Sequence, residues 1–239
     1  MLDFGFYNMD CMIGLDLIDD NSIDLFLTDI PYDGVNKSEK IRIGTPIRKT
    51  GKGKADVITF DLKMFLEKAY QKTKGTMVIF CGINQVSEIF NFFSDKQVLG
   101  GGTPRQLIWH KTNPSPMNGE YVYLSATENA VVFRKHGATF NARCKHNVLE
   151  FPTGSSEMHP TEKNHSLLAD IIADNSNEND LIVDACAGSG STLLMAHKMN
   201  RKFIGFELDE NYYKLAKKRL DAEMAQMTIF DLGFNPYQE

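Results

Sequence analysis

No stretch of this 239-residue chain approaches the run of about 18 to 20 apolar residues that spans a bilayer. Nor does the N-terminus carry a basic segment followed by an apolar one, so no secretion signal and no membrane partner are expected. Cysteine is scarce. Cys11, Cys81, Cys144 and Cys186 have no paired spacing of the kind that holds zinc, and three of them sit in or beside apolar segments. A disulfide scaffold and a metal site are therefore not expected, and reduced buried thiols in a cytoplasm are. Internal repeats and low-complexity tracts are also absent. What remains is 42% hydrophobic residues, enough for one sizeable core, so a single domain over 1–239 is the expectation.

Charge is unevenly spread. Between residues 37 and 54 stand Lys37, Lys40, Arg42, Arg48, Lys49, Lys52 and Lys54 against the lone Glu39. That segment is net +6, which leaves −11 on the remainder of a chain whose total is −5. A basic patch on an acidic body suits a protein that touches phosphates in one place. Residues 33–56 show little periodicity and read as a long inserted loop, a feature that in a compact domain is usually functional or disordered.

Elsewhere the pattern alternates. Residues 23–29 read as a buried strand ended by Pro31, and 77–81, 106–110, 130–133, 181–183 and 203–206 as further strands. Helical spacing covers 61–73, 84–93, 163–174 with Thr161 as N-cap, 191–200 and 210–226. Residues 135–160 look irregular. Strands separated by helices predict an α/β fold with a mostly parallel sheet covered on both faces.

Two strand ends carry the chemistry. The run Asp184-Ala185-Cys186-Ala187-Gly188-Ser189-Gly190-Ser191-Thr192 closes one strand and opens a helix. Gly188 and Gly190 let the backbone approach a ligand, and the helix start offers free amides. Glu207 ends the next strand, 23 residues after Asp184, where a carboxylate can accept both hydroxyls of a ribose. The bland alternative is a tight strand–helix turn with no ligand. Leu193 stands where the third glycine of a dinucleotide site would be, and no phosphate-binding lysine follows, so a ribose cofactor without pyrophosphate fits best: S-adenosylmethionine.

The second strand end is Asp29-Ile30-Pro31-Tyr32. An exocyclic amino group on a base is a poor nucleophile because its lone pair is delocalised into the ring. Two acceptors aimed at its hydrogens draw the nitrogen toward tetrahedral geometry. Asp29 offers a carboxylate, the backbone carbonyl beside Pro31 offers the second acceptor, and Tyr32 offers a ring on which an extruded base can stack. Alone, the tetrapeptide could be an ordinary strand end with a turn. Both motifs end strands, however, and in open α/β sheets ligands bind outside the carboxyl ends of strands.

Taken together these motifs resemble the amino-group DNA methyltransferases of the permuted, beta-type order, in which the catalytic motif precedes the cofactor motif. Asp29 to Tyr32 resembles that family's Asp-Pro-Pro-Tyr. Asn8-Met9-Asp10-Cys11 resembles its Gly-Asp-Cys segment, Trp109-His110-Lys111 its tryptophan–lysine strand, and His159-Pro160-Thr161-Glu162-Lys163 its His-Pro-Thr-Gln-Lys-Pro motif. Phe206-Glu207-Leu208-Asp209 resembles its ribose-binding strand. The resemblance implies a Rossmann-like fold of circularly permuted motif order and an S-adenosylmethionine cofactor. It implies adenine contact by Asp10 and Cys11, and methionine contact near Thr161 and Lys163. It also implies methylation of adenine N6 in DNA, within restriction-modification systems of bacterial or phage-infected cells. Cytosine N4 is the alternative target, which relatives more often mark with a serine-led motif. RNA as substrate, and a non-catalytic DNA-binding or specificity subunit that keeps the fold, are further alternatives.

Several positions depart from that pattern: Ile30 for proline, Cys186 for phenylalanine, Glu162 and Asn164 for glutamine and proline. Roughly 25 residues, 135–159, stand where relatives carry a target-recognition region, too few for an independent one. Lys37, Arg42, Arg48, Lys49, Lys52, Lys54, Lys111 and Asn113 are the expected DNA contacts. A short site, relaxed specificity, or help from a second copy or a separate specificity or restriction subunit would follow.

Overall fold

A computed structural model describes residues 2–32, 60–116, 119–154 and 162–231, with side chains of the last helix described as far as 225. The basic stretch 37–54, Thr161 and the His159-Pro160 pair therefore lie outside the described residues.

The elements, in chain order, are β1 (Gly5–Asn8), α1 (Cys11–Asp16), β2 (Ile23–Asp29), α2 (Leu62–Lys72), β3 (Thr73–Cys81), α3 (Val86–Val98), β4 (Gly102–Lys111), β5 (Thr127–Lys135), β6 (Val148–Phe151), α4 (His165–Asn175), β7 (Leu181–Asp184), α5 (Ser191–Lys198), β8 (Lys202–Glu207) and α6 (Glu210–Asp231). One eight-stranded sheet runs in the order β1-β8-β7-β2-β3-β5-β4-β6. Only β5 is antiparallel to its neighbours.

The central strands are apolar along their length because both faces are covered. On β3, Met77, Ile79 and Cys81 face one core with Phe65 of α2 and Phe93 of α3, while Val78 and Phe80 face the other with α4 and α5. That alternation is the two-residue period of a strand serving two layers. The Phe93 and Phe133 rings stack at 4.7 Å between centroids, joining α3 to β5.

Strand β2 coincides with the expected 23–29, the other expected strands run longer than their sequence bounds, α2 and α5 are one or two residues shorter at an end, and α3 and α4 begin two residues later than expected. Three were not foreseen. β1 and α1 are four and six residues long, too short to establish a period. β6 lies in the tract expected to be irregular, pairs in parallel with β4 and forms the sheet edge, so Val148–Phe151 of that tract is sheet. The N-cap of α4 is Asn164, whose side chain accepts from Leu167 N, and not Thr161.

Helix α1 sets the entrance to the site. Its Gly14 lies flat on the Phe206 ring of β8, and an added Cβ would come within 2.4 Å of that ring. Gly14→Ala should therefore destabilise the fold by about 1 to 3 kcal/mol through overpacking, outweighing the roughly 1 kcal/mol that alanine gains in helix propensity. Urea unfolding checks this; a variant as stable as wild type would contradict the packing.

Candidate active site

Strand β2 leads through α2 to β3 on one side, and β7 leads through α5 to β8 on the other, yet β2 and β7 are neighbours, with Phe26 opposite Val183. Their connections diverge, so a crevice must open beyond their carboxyl ends. Asp29 stands at the end of β2 and Asp184 at the end of β7. Asp10 and Cys11 between β1 and α1, Pro31 after β2, Cys186 after β7, and Glu207 and Leu208 at the end of β8 line one crevice there. Pro31 of the tetrapeptide and Ala185 and Cys186 of the run that opens at Asp184 thus face the same opening.

The turn after β7 is built for close approach. Gly188 and Gly190 have φ of +49° and +73°, the left-handed region that side chains disfavour. A Cβ on Gly188 would meet no atom closer than 4.0 Å, so the space above it is open. Asp184 holds the turn from below. Its Oδ1 accepts from Thr28 Oγ1 at 2.8 Å and from Cys186 N at 3.1 Å. Burial pushes its carboxyl up to about 6, against the lowering effect of Thr192, Thr28 and the Cys186 amide. Glu207, 9% exposed, accepts from Gly188 N at 2.9 Å and Asp209 N at 2.8 Å. Each of its oxygens keeps acceptor capacity toward the crevice, which a ribose diol would use. Asp10 caps α1 by accepting from Met12 N at 2.7 Å. The Cys186 thiol is pushed well above its ordinary range by its contact with the Cys11 thiol and by burial. These groups fit a nucleoside cofactor without phosphate.

Ser191 and Thr192 offer backbone amides only. The Ser191 hydroxyl donates to Glu162 Oε1 at 2.5 Å, and Thr192 donates to Asp184. Glu162, where relatives carry glutamine, is buried and pairs with Arg219 of α6 at 2.5 Å and with His165 at 3.0 Å. The extra negative charge is thus met by a cation.

Around Asp29 lies a compact charge cluster. Lys163 Nζ lies 2.7 Å from Asp29 Oδ2 and 2.6 Å from Glu128 Oε2, and donates to the Tyr32 hydroxyl at 3.1 Å. That hydroxyl donates in turn to Glu128 at 3.1 Å, whose other oxygen takes Lys111 at 2.7 Å. The rings of Phe80, Tyr32 and Trp109 stand 4.9, 5.5 and 5.9 Å from the Lys163 ammonium. Desolvation would strip the proton from Lys163, but Asp29, Tyr32 and Glu128 hold it on, well above its ordinary range. Burial would raise Glu128, yet Lys163 and Lys111 hold it down to about 2. Asp29 moves the other way: burial raises it more than Lys163 lowers it. Its Oδ1 is buried with no hydrogen-bond partner. Below it, Gln85 fixes the turn, donating to Pro31 O at 3.1 Å and accepting from Gly82 N at 2.8 Å.

Three of the expected contact residues have partners within the chain. Lys163, expected near the cofactor's methionine end, pairs here with Asp29 and Glu128. Lys111 is turned inward to Glu128 rather than toward phosphates. Asn113 spends its Oδ1 on Thr153, from N at 2.6 Å and Oγ1 at 3.0 Å. Glu128 and Gln85 were missed: neither belongs to a recognisable motif, and only the pairing of β3 with β5 brings Glu128 to the site. Among the described residues no group of acidic, histidine and cysteine side chains could hold a metal, and no helix is long and apolar enough to cross a membrane.

Asp184 yields a pH signature. Its folded-state proton affinity is raised, so the neutral form contributes stability that is complete below pH 3.8 and is lost as pH rises through about 6. Asp184→Asn should therefore be more stable than wild type at pH 7.5, by on the order of 2 kcal/mol, and the gap should close toward pH 4. Urea titrations at several pH values test this; a gap independent of pH would contradict it.

Comparison with known proteins agrees with this geometry. A family model of the N6/N4 methyltransferases, described as DNA methylase, matches residues 139–218. Type II methyltransferase M2.DpnII of Streptococcus pneumoniae is 26% identical over 232 residues, covering 84% of each chain. Type II methyltransferase M.HpaI of Haemophilus parainfluenzae is 27% identical over 238 residues, covering 86% of this chain and 70% of its own. The crystal structure of the M1.HpyAVI–SAM complex superposes with a TM-score of 0.67 at 25% identity, over 90% of this chain and 98% of that one. The cytosine-N4-specific PvuII DNA methyltransferase shares the fold, with a TM-score of 0.69 at 18% identity over 93% and 91%. The family model, these relatives and the crevice at the strand ends together support an amino-group DNA methyltransferase of the N6-adenine/N4-cytosine type.

Proposed function

We propose that this protein transfers a methyl group from S-adenosylmethionine to the N6 amino group of adenine extruded from DNA, as a single methyltransferase domain of the permuted order. One observation carries the reading: Asp29 Oδ1 is a buried acceptor without a donor, two residues before Pro31, which lines the crevice together with Cys186 and Glu207. An unpaired buried carboxylate oxygen is costly, on the order of 1 to 3 kcal/mol or more, and a substrate amine would relieve that cost by donating to it.

When bound, the cofactor supplies an electrophilic methyl on sulfur with a neutral thioether as leaving group. The chain's own residues do the rest. Glu207 and Asp10 hold the nucleoside end, and the open space over Gly188 admits it. Asp29 Oδ1 accepts one amine hydrogen and a backbone carbonyl beside Pro31 the other, which localises the nitrogen lone pair toward the methyl. As the N–C bond forms, the nitrogen becomes cationic and must shed a proton. Asp29, raised by burial, is a better proton acceptor than an ordinary carboxylate. Lys163 stays charged throughout and keeps Asp29 ionised until that moment. Tyr32 offers its ring to the base while its hydroxyl is tied to Glu128. The cationic residues Lys37, Arg42, Arg48, Lys49, Lys52 and Lys54 are our candidates for the DNA backbone. Adenine is favoured over cytosine by the aspartate that leads the tetrapeptide.

Asp29→Ala should abolish methyl transfer, by roughly 1,000-fold or more, while S-adenosylmethionine binding by calorimetry stays within a few-fold of wild type. Mass analysis of nucleosides from DNA treated with wild type should show N6-methyladenosine in its deoxy form. Finding only N4-methylcytosine would overturn the target, and an active Asp29→Ala would overturn the site.

A further inference from the structure

The hairpin joining β4 to β5 carries an apolar tip that the site described so far does not use. Its neck closes where Lys111 N donates to Ala126 O at 2.7 Å. On either side of that neck stand Lys111 and Glu128, both members of the catalytic cluster. Beyond it, Tyr121, Val122, Tyr123 and Leu124 are 83%, 63%, 102% and 42% exposed. Four consecutive large apolar side chains left in solvent are uncommon on a protein surface and mark a contact.

We propose that Tyr121 and Tyr123 form a stacking wedge that enters the base stack of duplex DNA beside the position from which the target base is extruded. The inference rests on the methyltransferase reading above and names the surface that would make extrusion favourable. Reach supports it. Tyr123 is five residues from Glu128, and an extended chain of five residues spans at most about 17 Å, so the tip stays within one duplex width of the reacting carboxylates. The direction is set by the strands: β4 ends and β5 begins at the same end of the sheet as Asp29 and Glu207. Chemistry supports it as well. Extrusion leaves an apolar gap between neighbouring bases, and the faces of aromatic rings fill such a gap whatever the local sequence. Tyrosine does this with only two side-chain torsions to fix and keeps its hydroxyl wet in the free protein. Unstacked bases are the occupant that the position beside the catalytic cluster favours; another protein, including a second copy of this chain, is the competing one.

The test uses the full chain, S-adenosylmethionine carrying a labelled methyl group, and unmethylated genomic duplex DNA. Tyr121→Ala/Tyr123→Ala should lower kcat/KM for duplex DNA by at least about 10-fold, with S-adenosylmethionine affinity and urea midpoint unchanged. Tyr121→Phe/Tyr123→Phe should restore most of the loss, since the ring face is kept. The wedge is overturned if the double alanine variant methylates duplex as wild type does, if phenylalanine fails to rescue, or if the alanine pair changes the molecular mass in solution by light scattering, which would assign the tip to a protein contact. Failure of the methyltransferase reading looks different: wild type itself would transfer no methyl. In that event, anisotropy of a labelled duplex pool still compares the two proteins, and equal affinity would again overturn the wedge.

Discussion

The adjacency of β2 and β7 at the centre of the sheet is the constraint on which the site depends. Two parallel strands whose following helices depart to opposite faces leave nothing to cover the end between them. Because β2 and β7 pair directly, one strand separation of about 4.8 Å sets the distance between the tetrapeptide and the Gly-rich turn. Thr28 makes the link explicit: it precedes Asp29 and donates to Asp184, so a hydrogen bond between adjacent strand ends ties the two halves. β8 then brings Glu207, and β1 with α1 brings Asp10, to the same rim.

Within that frame the catalytic end is a balance of buried charge. Lys163 is a single ammonium facing two carboxylates, and Lys111 supplies the second positive charge on the far side of Glu128. The consequence is asymmetric. Glu128, held between two cations, is a fixed anion at any pH where the protein works. Asp29, with one oxygen on Lys163 and the other unpartnered, keeps both a negative charge and a vacant acceptor. A group that must first accept a hydrogen bond and then a proton needs both properties. The cofactor end follows another principle, since Glu207 and Asp10 are already tied to backbone amides that fix where their oxygens point.

Much of this was legible in the sequence, and the illegible parts have physical causes. β2 could be read to its last residue because burial on both faces keeps Ile23 and Leu25 to Leu27 apolar and Pro31 stops it. The placement of Asp29 and Glu207 at strand ends and of Gly188 and Gly190 in a turn was legible because such local structure is written in neighbouring residues. The pairing of Lys163 with Asp29 was not legible, since the two lie 134 residues apart in the chain and only folding brings them together. Glu128 was invisible for the same reason: in a strand that looks half polar, nothing marks one acid as facing inward. β6 was missed because four residues at a sheet edge leave no period, although Trp109 Nε1 donating to Phe151 O at 2.8 Å shows how firmly it is held. The departures from the family pattern proved local too, with Glu162 in place of glutamine answered by Arg219.

The account stands or falls on distance across the crevice. A crystal structure with S-adenosylmethionine bound would measure it directly, as the separation between the sulfonium methyl carbon and Asp29 Oδ1. A hydrogen bond of about 2.9 Å from the carboxylate to an amine, and a reacting contact of about 3 to 3.5 Å from that amine to the methyl, place the two no more than about 6 Å apart. Such a separation, with the ribose on Glu207, is the expected result. A methyl group more than about 10 Å from Asp29, or a nucleoside bound away from Glu207, would contradict the account.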